Sequence, residues 1–502
     1  MLASVRTASL VGVDACPVHV EVDVSFGLPI FTMVGLPDAS IRESRDRVRN
    51  AIRNSGFEFP VHRVTVNLAP ADVRKAGTAF DLPIALGVLA AQGVVTRRHI
   101  PEIVILGELS LDGGVQPARG VLPIAAAARR EGASAILLPR ANASEAAIVS
   151  GIAVLPVSSL AEAVAALNDP ACVRDVPPSP SPVTPGEPAD LADVRGQSLA
   201  RRAVEIAAAG AHHLLFIGPP GSGKTMIARR IAGILPPLTL DEAIEVTAAH
   251  SVAGLLPKGV GLLTTRPFRA PHHSASSAAL VGGGSQPRPG EVTLAHHGVL
   301  FLDEILEFER HVLDLLRQPL EEGMVVVARA ARSVMFPARF VLVAAMNPCP
   351  CGFAGDPVRE CRCTPQHVER YRSRLSGPLR DRLDLTVDVP ALSPETLSAS
   401  ACNETSAAVR ARVAAARDRQ RARYGHRGPR ANAELTPSLM ACHCKLDAAA
   451  ERLLMTATRR LGLSARGYDR VRKVARTIAD LAGADDISGD DVAEALQFRM
   501  TS

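Results

Sequence analysis

Aromatic side chains make up only 3% of these 502 residues. No row of rings for stacking nucleobases is evident, so a nucleic-acid partner would have to be gripped by charge. Long apolar runs are also missing. Stretches such as Leu300 to Leu302 are short, and none approaches the ~18–20 residues that cross a bilayer, so no membrane partner is expected. The chain does not open with a charged start followed by a long apolar stretch; no secretory leader is expected, and the expected location is cytoplasmic. The nine cysteines are an odd set with clustered pairs, unlike the framework of a disulfide-stapled secreted domain. Charge of one sign is not in large excess either: a net +5 permits a nucleic-acid partner without requiring one. What remains is a globular composition, 47% hydrophobic, in a chain too long for one core, so two or three domains are expected.

The most specific signal is Gly218-Pro219-Pro220-Gly221-Ser222-Gly223-Lys224-Thr225, between the apolar run Leu214–Ile217 and the helical pattern Met226–Leu235. A glycine loop between a buried strand and a helix turns backbone N–H groups onto phosphates. Lys224 then reaches the β and γ oxygens, and the Thr225 hydroxyl ligates Mg²⁺. Val299–Leu302 is a second apolar strand, ending in Asp303 and Glu304: one carboxylate holds Mg²⁺ and the other polarises the attacking water. A third, Phe340–Met346, ends in Asn347, an amide suited to orient that water beside Glu304. These three strand ends predict a nucleoside triphosphate site with Mg²⁺.

Six prolines within Pro177–Pro188 make neither ladders nor helices, so 171–190 reads as a stiff, extended linker. Before it, 1–170 alternates strands such as Val18–Val24 with helices at Asp38–Arg53 and Pro123–Arg130, an α+β domain. After it, 191–391 reads as a parallel sheet covered by helices. Strand signals then stop, and 392–502 reads as a helical domain with helices at Ala448–Leu461, Tyr468–Leu481 and Asp490–Phe498. The whole is an α/β multidomain chain.

Several residues carry alternative readings. Arg380 and Arg382 lie near a turn before the strand Leu385–Val389; a permanently charged guanidinium there can reach a neighbouring subunit's γ-phosphate, or can pair with Asp381 or Asp384 at the surface. Leu463–Arg470 opens a helix from which Arg466, with Arg470 second, is placed to fold over a bound nucleotide. Val325–Phe336 reads as a hairpin with a basic centre, where Arg329 and Arg332 grip DNA phosphates without sequence preference or are merely solvated. Between Thr405 and Arg430 eight arginines face one acid, Asp418; this is a nucleic-acid-facing helix or a solvated arm. Cys349, Cys351, Cys361 and Cys363 put four thiolates within fifteen residues, enough for a tetrahedral Zn²⁺. Their C-x-C spacing is tighter than the common C-x₂-C, and a loop of free thiols is the alternative. Cys442 and Cys444 form a weaker copy. The pairs His272-His273 and His296-His297 read as packing or positioning groups rather than metal ligands.

Arg266–His273, Gly282–Gly284 with Pro287–Glu291, Leu294–Glu304, Leu316–Leu320 and Ala345–Gly352 resemble the magnesium-chelatase-like AAA+ family called YifB or ComM, over nearly the whole chain. The resemblance implies a Lon-protease-like α+β N-terminal domain (ribosomal S5 domain 2-like), a P-loop AAA+ parallel-sheet module and a C-terminal helical lid. It implies ATP as the nucleotide and a homo-oligomeric, hexameric ring. It further implies a DNA-translocating branch-migration helicase acting on branched or single-stranded DNA in uptake and recombination. In that family's terms Asn347 matches sensor 1, Arg382 the arginine finger, Arg466 sensor 2, and Gly282–Gly290 the helix-2 insert that points into the ring's pore. Arg380 departs from the pattern, where an apolar residue is expected. Two rival functions remain: a chelatase-type motor subunit remodelling a protein partner, and an ATP-dependent protease. Lys75–Asp81 followed by Leu106–Val115 resembles the Lon catalytic region, yet its register puts Ala79 at the nucleophile and Leu122 at the activating lysine. A methyl group cannot attack a carbonyl, nor an apolar chain accept its proton. Lys75 and Ser110 remain nearby in sequence.

Overall fold

The computed structural model describes every residue except 37, 72–74, 76, 97–99, 170–188, 258, 285–286, 330–331, 357–358, 394–402, 426–427 and 500–502. Nearly all of the proline-rich linker therefore lies outside the described residues.

Period-two alternation builds the first sheet. In β1 (Leu2–Val11) and β2 (Asp14–Ser25), an antiparallel pair, Val18, Val20 and Val22 are wholly buried while His19 between them is exposed, as a strand with one face on a core requires. β3 (Phe31–Val34), β4 (Arg63–Ala69) and β5 (Ile103–Ile105) follow, then a short hairpin, β6 (Glu108–Leu109) and β7 (Val115–Gln116), then β8 (Ala135–Pro139) and β9 (Ala153–Val157). The main sheet runs β3-β4-β2-β1-β5-β8-β9. The helix Asp81–Ala91 is buried along its whole length against it. Gly87 permits this approach, because a Cβ there would lie 2.7 Å from Val22 Cγ2. Helices form at Ala39–Asn54, where Asp38 Oδ1 accepts from Ile41 N (2.9 Å), and at Val121–Arg130. The N-terminal unit is α+β, as the sequence predicts.

The second sheet contains β10 (Leu214–Ile217), β11 (Phe268–Arg269), β14 (Val299–Leu302), β17 (Val341–Met346) and β18 (Leu385–Asp388). Its order is β11-β14-β17-β10-β18, and every pairing is parallel. β14 and β17 are buried at every position, which is what helices on both faces produce. Two hairpins stand apart from it: β12 (Gly282–Gly283) with β13 (Arg288–Pro289), in the glycine-rich insertion, and β15 (Met324–Arg329) with β16 (Arg332–Pro337). In the latter Arg329 pairs with Arg332 across the tip; residues 330–331 lie outside the described part.

The C-terminal region is helical, at Ser406–Tyr424, Pro437–His443, Ala448–Leu461, Ala465–Ala482 and Gly489–Gln497. Its core is continuous with one face of the parallel sheet. Most of the basic stretch forms the first of these helices; Arg410 and Arg421 are exposed on it, Arg421 beside Asp418, Arg427 lies outside the described residues, and the other arginines are engaged within the fold. Arg412 pairs with Glu205 and Glu404, Arg423 with Asp480, and Arg417 donates to Ala208 O. Arg419 donates to Gly483 O, and Arg430 meets His297 and Glu245. The sequence places these cations without their partners, several of which come from elements as far as 209 residues away.

The N-terminal unit docks on the helix Leu240–Ala253 of the second unit. Gly120 N donates to Ser251 Oγ (2.9 Å), Ser251 Oγ to Glu145, and Leu122 N to Glu145 Oε1 (2.9 Å). Burial pushes the Glu145 carboxyl above its ordinary pKa. Gly12, at the β1–β2 turn, abuts the β15–β16 hairpin so closely that a Cβ would lie 2.8 Å from Val334 Cγ1.

Candidate nucleotide site

Parallel strands deliver all their C-terminal ends to one edge, and there the loops after β10, β14 and β17 converge. The glycine loop leaves β10 and enters the helix Lys224–Ile234 through Gly221 and Gly223, both with positive φ (79° and 95°). Glycine adopts that backbone without strain. Gly218 is held for another reason: a Cβ there would lie 2.1 Å from Val389 O, just beyond β18. Gln197 ties the loop from outside, donating to Pro390 O (2.7 Å) and Ser222 O (3.4 Å).

Lys224 Nζ donates to Gly218 O (2.7 Å) and Pro219 O (2.8 Å) and lies 3.4 Å from Asn347 Oδ1. Burial holds its pKa below the usual lysine value. The Thr225 hydroxyl donates to Asp303 Oδ2 (2.7 Å), joining the residue after the loop lysine to the carboxylate after β14. Hydroxyl and carboxylate oxygens are the hard donors Mg²⁺ takes. Asp303 Oδ1 accepts from Glu304 N (3.1 Å). Glu304 itself is exposed, with φ +50°. A side-chain-bearing residue in that left-handed region is uncommon, and such strain concentrates at functional sites. The three predicted strand ends thus meet: Lys224, Thr225, Asp303, Glu304 and Asn347 form one cluster.

A residue that the sequence reading assigned to packing or positioning, and not to this site, joins them. His273 Nδ1 lies 4.0 Å from Glu304 Oε2, its ring tilted by 34° against His272 at 4.1 Å between centroids. No spacing rule connects it to Glu304, since it stands thirty-one positions earlier in an irregular segment. His296 and His297 instead bond to Glu245 (2.9 and 2.8 Å), and burial holds the His297 pKa down to about 4.

The predicted arginines lie at the other end of the sheet. Arg382 and Arg466 line a cavity of about 880 Å³ whose walls include His213, Gly298 and Val341, at the N-terminal ends of β10, β14 and β17. Arg466 therefore does not fold over the glycine loop of its own chain. The reason is the docking of its helix: Thr477 meets His212 (2.8 Å), and Arg470 pairs with Asp384 (3.3 Å) ahead of β18. Arg470, the second choice, is thereby tied to a carboxylate. Around it, burial lowers the His213 pKa to about 4. Arg382 is buried, pairs with Glu321 rather than Asp381 or Asp384, and donates to Pro378 O (2.5 Å). Its Nε is buried without a hydrogen-bond partner among the described residues. Arg380 is exposed.

In the N-terminal unit, Ala79 and Leu122 supply no nucleophile or base. Lys75 is buried and donates to Gly35 O (3.3 Å) and Pro70 O; Ser110 bonds Asp112 and Gly114 O. Cys349, Cys351, Cys361 and Cys363 come together, all four sulfurs within 4.8 Å of one another. Cys442 is exposed and Cys444 buried, so that pair forms no such group. No helix among the described residues is long and apolar enough to cross a membrane.

Three stretches match known families: 190–397 Magnesium chelatase, subunit ChlI; 20–142 Subunit ChlI of Mg-chelatase; and 403–499 Magnesium chelatase, subunit ChlI C-terminal. Similar proteins include an uncharacterized protein of Mycobacterium tuberculosis, 48% identical over 98% of this chain and 97% of its own. The uncharacterized protein YifB of Salmonella typhimurium and the competence protein ComM of Haemophilus influenzae are each 45% identical, over 99% of this chain and 97% of theirs. With its strand-end cluster on a five-stranded parallel sheet and this likeness along its full length, the chain belongs to the YifB/ComM family of magnesium-chelatase-like AAA+ proteins.

Proposed function

We propose that this protein is a ring-forming, Mg²⁺-dependent ATPase, a hexamer that drives branched or single-stranded DNA through its centre as a branch-migration helicase in DNA uptake or recombination. Family membership implies ATP hydrolysis with Mg²⁺. The observation that carries the assembled reading is the separation of the site's parts: phosphate-binding and water-activating residues at one end of the sheet, Arg382 and Arg466 at the other. A second copy that presents its arginine end to the first copy's glycine loop completes both.

In this reading the backbone N–H groups of Gly221, Ser222 and Gly223, with Lys224, hold the phosphates, and Thr225 and Asp303 hold Mg²⁺. Bound Mg²⁺ neutralises developing charge on the phosphoryl oxygens. Glu304 accepts the proton of the attacking water and Asn347 orients it; Arg382 of the adjacent copy leaves Glu321 to meet the γ-phosphate, and Arg466 follows it into that interface. DNA as the cargo is supported by the name of the Haemophilus relative, a competence protein, and by the hairpin that brings Arg329 and Arg332 together at its tip. The N-terminal unit is read as a Lon-like domain without protease chemistry, supported by Ala79, Leu122 and the engaged Lys75 and Ser110.

The ChlI matches favour one alternative, a motor subunit acting on a protein partner. The ATPase rate with and without forked or Holliday-junction DNA decides: stimulation by the junction supports the DNA motor, and indifference to DNA sinks it. Casein stable in the presence of enzyme and ATP is the expected result for the N-terminal unit.

A further inference from the structure

Directly after Asn347, the chain enters a loop that brings four sulfurs together. Cys349 Sγ lies 3.3 Å from Cys351 Sγ and 3.6 Å from Cys361 Sγ, with Cys351 and Cys361 also 3.6 Å apart. Cys363 completes a four-sulfur group. Four thiolates bound to one Zn²⁺ at ~2.3 Å stand about 3.8 Å from each other at the corners of a tetrahedron, close to the spacings here.

Backbone donors reach every one of these sulfurs. Ala354 N donates to Cys349 Sγ (3.3 Å) and Cys363 N to Cys361 Sγ (3.5 Å). Cys351 accepts from the backbone of Phe353 and Arg362, and Cys363 from that of Cys351. Around a metal such donors disperse thiolate charge and fix each ligand's direction. An all-sulfur group of four favours soft metals such as Zn²⁺ or iron over the hard ions Mg²⁺ and Ca²⁺.

The same loop presses on the nucleotide site. Gly352, between the two cysteine pairs, has φ +85° and sits so close to the glycine loop that a Cβ would lie 2.6 Å from Pro220 Cδ and 4.0 Å from Asn347 Cγ. Arg372 Nε, in the helix that follows the second pair, donates to Pro348 O (3.2 Å) and holds the loop's start. The loop is thus closed at both ends and packed on Pro220 and Asn347.

We propose that Cys349, Cys351, Cys361 and Cys363 hold one structural Zn²⁺, and that this metal-closed loop braces the ATP site by fixing Gly352 against Pro220 and setting the position of Asn347. This rests on the nucleotide-site reading above. Ligation of Zn²⁺ replaces four S–H protons, which leave to solvent, so the loop keeps its shape without redox chemistry.

Full-length protein purified with reductant and without chelator is expected to carry about one zinc per chain by elemental analysis, little iron, and none in the Cys361→Ser/Cys363→Ser variant. Cys442→Ser should keep its zinc. The zinc-free variant should bind a fluorescent ATP analogue more weakly and turn over on the order of 100-fold more slowly, the size expected when positioned groups shift by about 1 Å. Gly352→Ala should retain zinc and share the nucleotide defect, which keeps the bracing testable should the serine variant fail to fold.

Wild-type protein free of zinc, or loaded with iron, overturns the metal assignment. Normal analogue binding and turnover in both Gly352→Ala and the folded zinc-free variant overturns the bracing role. Lys224→Ala separates this from failure of the nucleotide reading: it should lose analogue binding with its zinc intact. Zinc-loaded wild type that binds no nucleotide would contradict the ATP site, leaving the metal site standing.

Discussion

The two ends of the five-stranded sheet are built from different chemistry. At the C-terminal ends, short loops carry glycine, Lys224, Thr225, Asp303 and Asn347, bonded to one another at 2.7–3.4 Å. At the N-terminal ends, a wide cavity is lined by Arg382, Arg466, Arg470, His213 and Asp384, with lid and sheet both contributing. One end holds the groups proposed to bind phosphate and activate water; the other holds permanently charged arginines. Strands of four to six residues separate them, roughly 13–20 Å of chain. In the proposed assembly these two ends are the two unlike halves of one catalytic centre, and neighbouring copies join one half to the other.

The sharpest way to break this comparison is at the arginine end. Arg382→Ala should retain ATP binding and lose about 1,000-fold to 100,000-fold in turnover, the range for removal of an arginine finger; radiolabelled ATP binding and phosphate release measure the two. Arg380→Ala should matter far less. Equal, complete loss in both would point to a structural role for the segment.

At the glycine-loop end, Glu304→Gln should bind ATP normally and slow hydrolysis by about 100-fold to 10,000-fold, because an amide cannot accept the water's proton. Lys224→Ala should fail earlier, at binding. Hydrolysis by Glu304→Gln at the wild-type rate would remove the assignment of the carboxylate after β14.

Off the sheet axis the expected effects shrink. Glu145→Ala leaves Leu122 N and Ser251 Oγ without their acceptor and should cost about 1–3 kcal/mol, read from thermal melts. The Glu145 pKa is raised by burial above its ordinary 4.5, so its contribution is fullest below that value and lost as pH rises through the raised one. The melting gap between wild type and Glu145→Ala should therefore be wider at pH 4 than at pH 8; the reverse would mean the carboxylate is favoured at the dock. The smallest change is expected from Arg329→Ala with Arg332→Ala. Basal ATPase should persist, DNA affinity should fall, and the slope of log affinity on log salt should flatten by about two, near one per lost phosphate contact. An unchanged slope would take the β15–β16 hairpin out of the DNA path.

The near end was readable because its chemistry is local. Glycine spacing, an apolar run and a terminal carboxylate lie adjacent in sequence, and the helix Ala448–Leu461 has the bounds its apolar period predicts. The far end was not, because its meaning depends on tertiary docking. Arg466 sits at the start of a helix in either case, and only the packing of Thr477 on His212 and Arg470 on Asp384 turns it away from its own glycine loop. Arg382 likewise gave no sign of Glu321, sixty-one residues earlier. Arg412, Arg417 and Arg423 gave no sign of Glu205, Ala208 O and Asp480, because those partners lie in distant elements. His273 beside Glu304 left no pattern for a sequence rule to find.

The central claim is that the two halves belong to different copies, and mixing tests it directly. Lys224→Ala subunits keep a sound arginine end, and Arg382→Ala subunits keep a sound glycine loop, so each alone should be inactive. Combined and allowed to exchange, they form some interfaces in which both halves are intact. The account predicts that ATPase activity reappears in the mixture and rises to a maximum at intermediate ratios of the two variants. Co-assembly of the two without any recovery of activity at any ratio would contradict it.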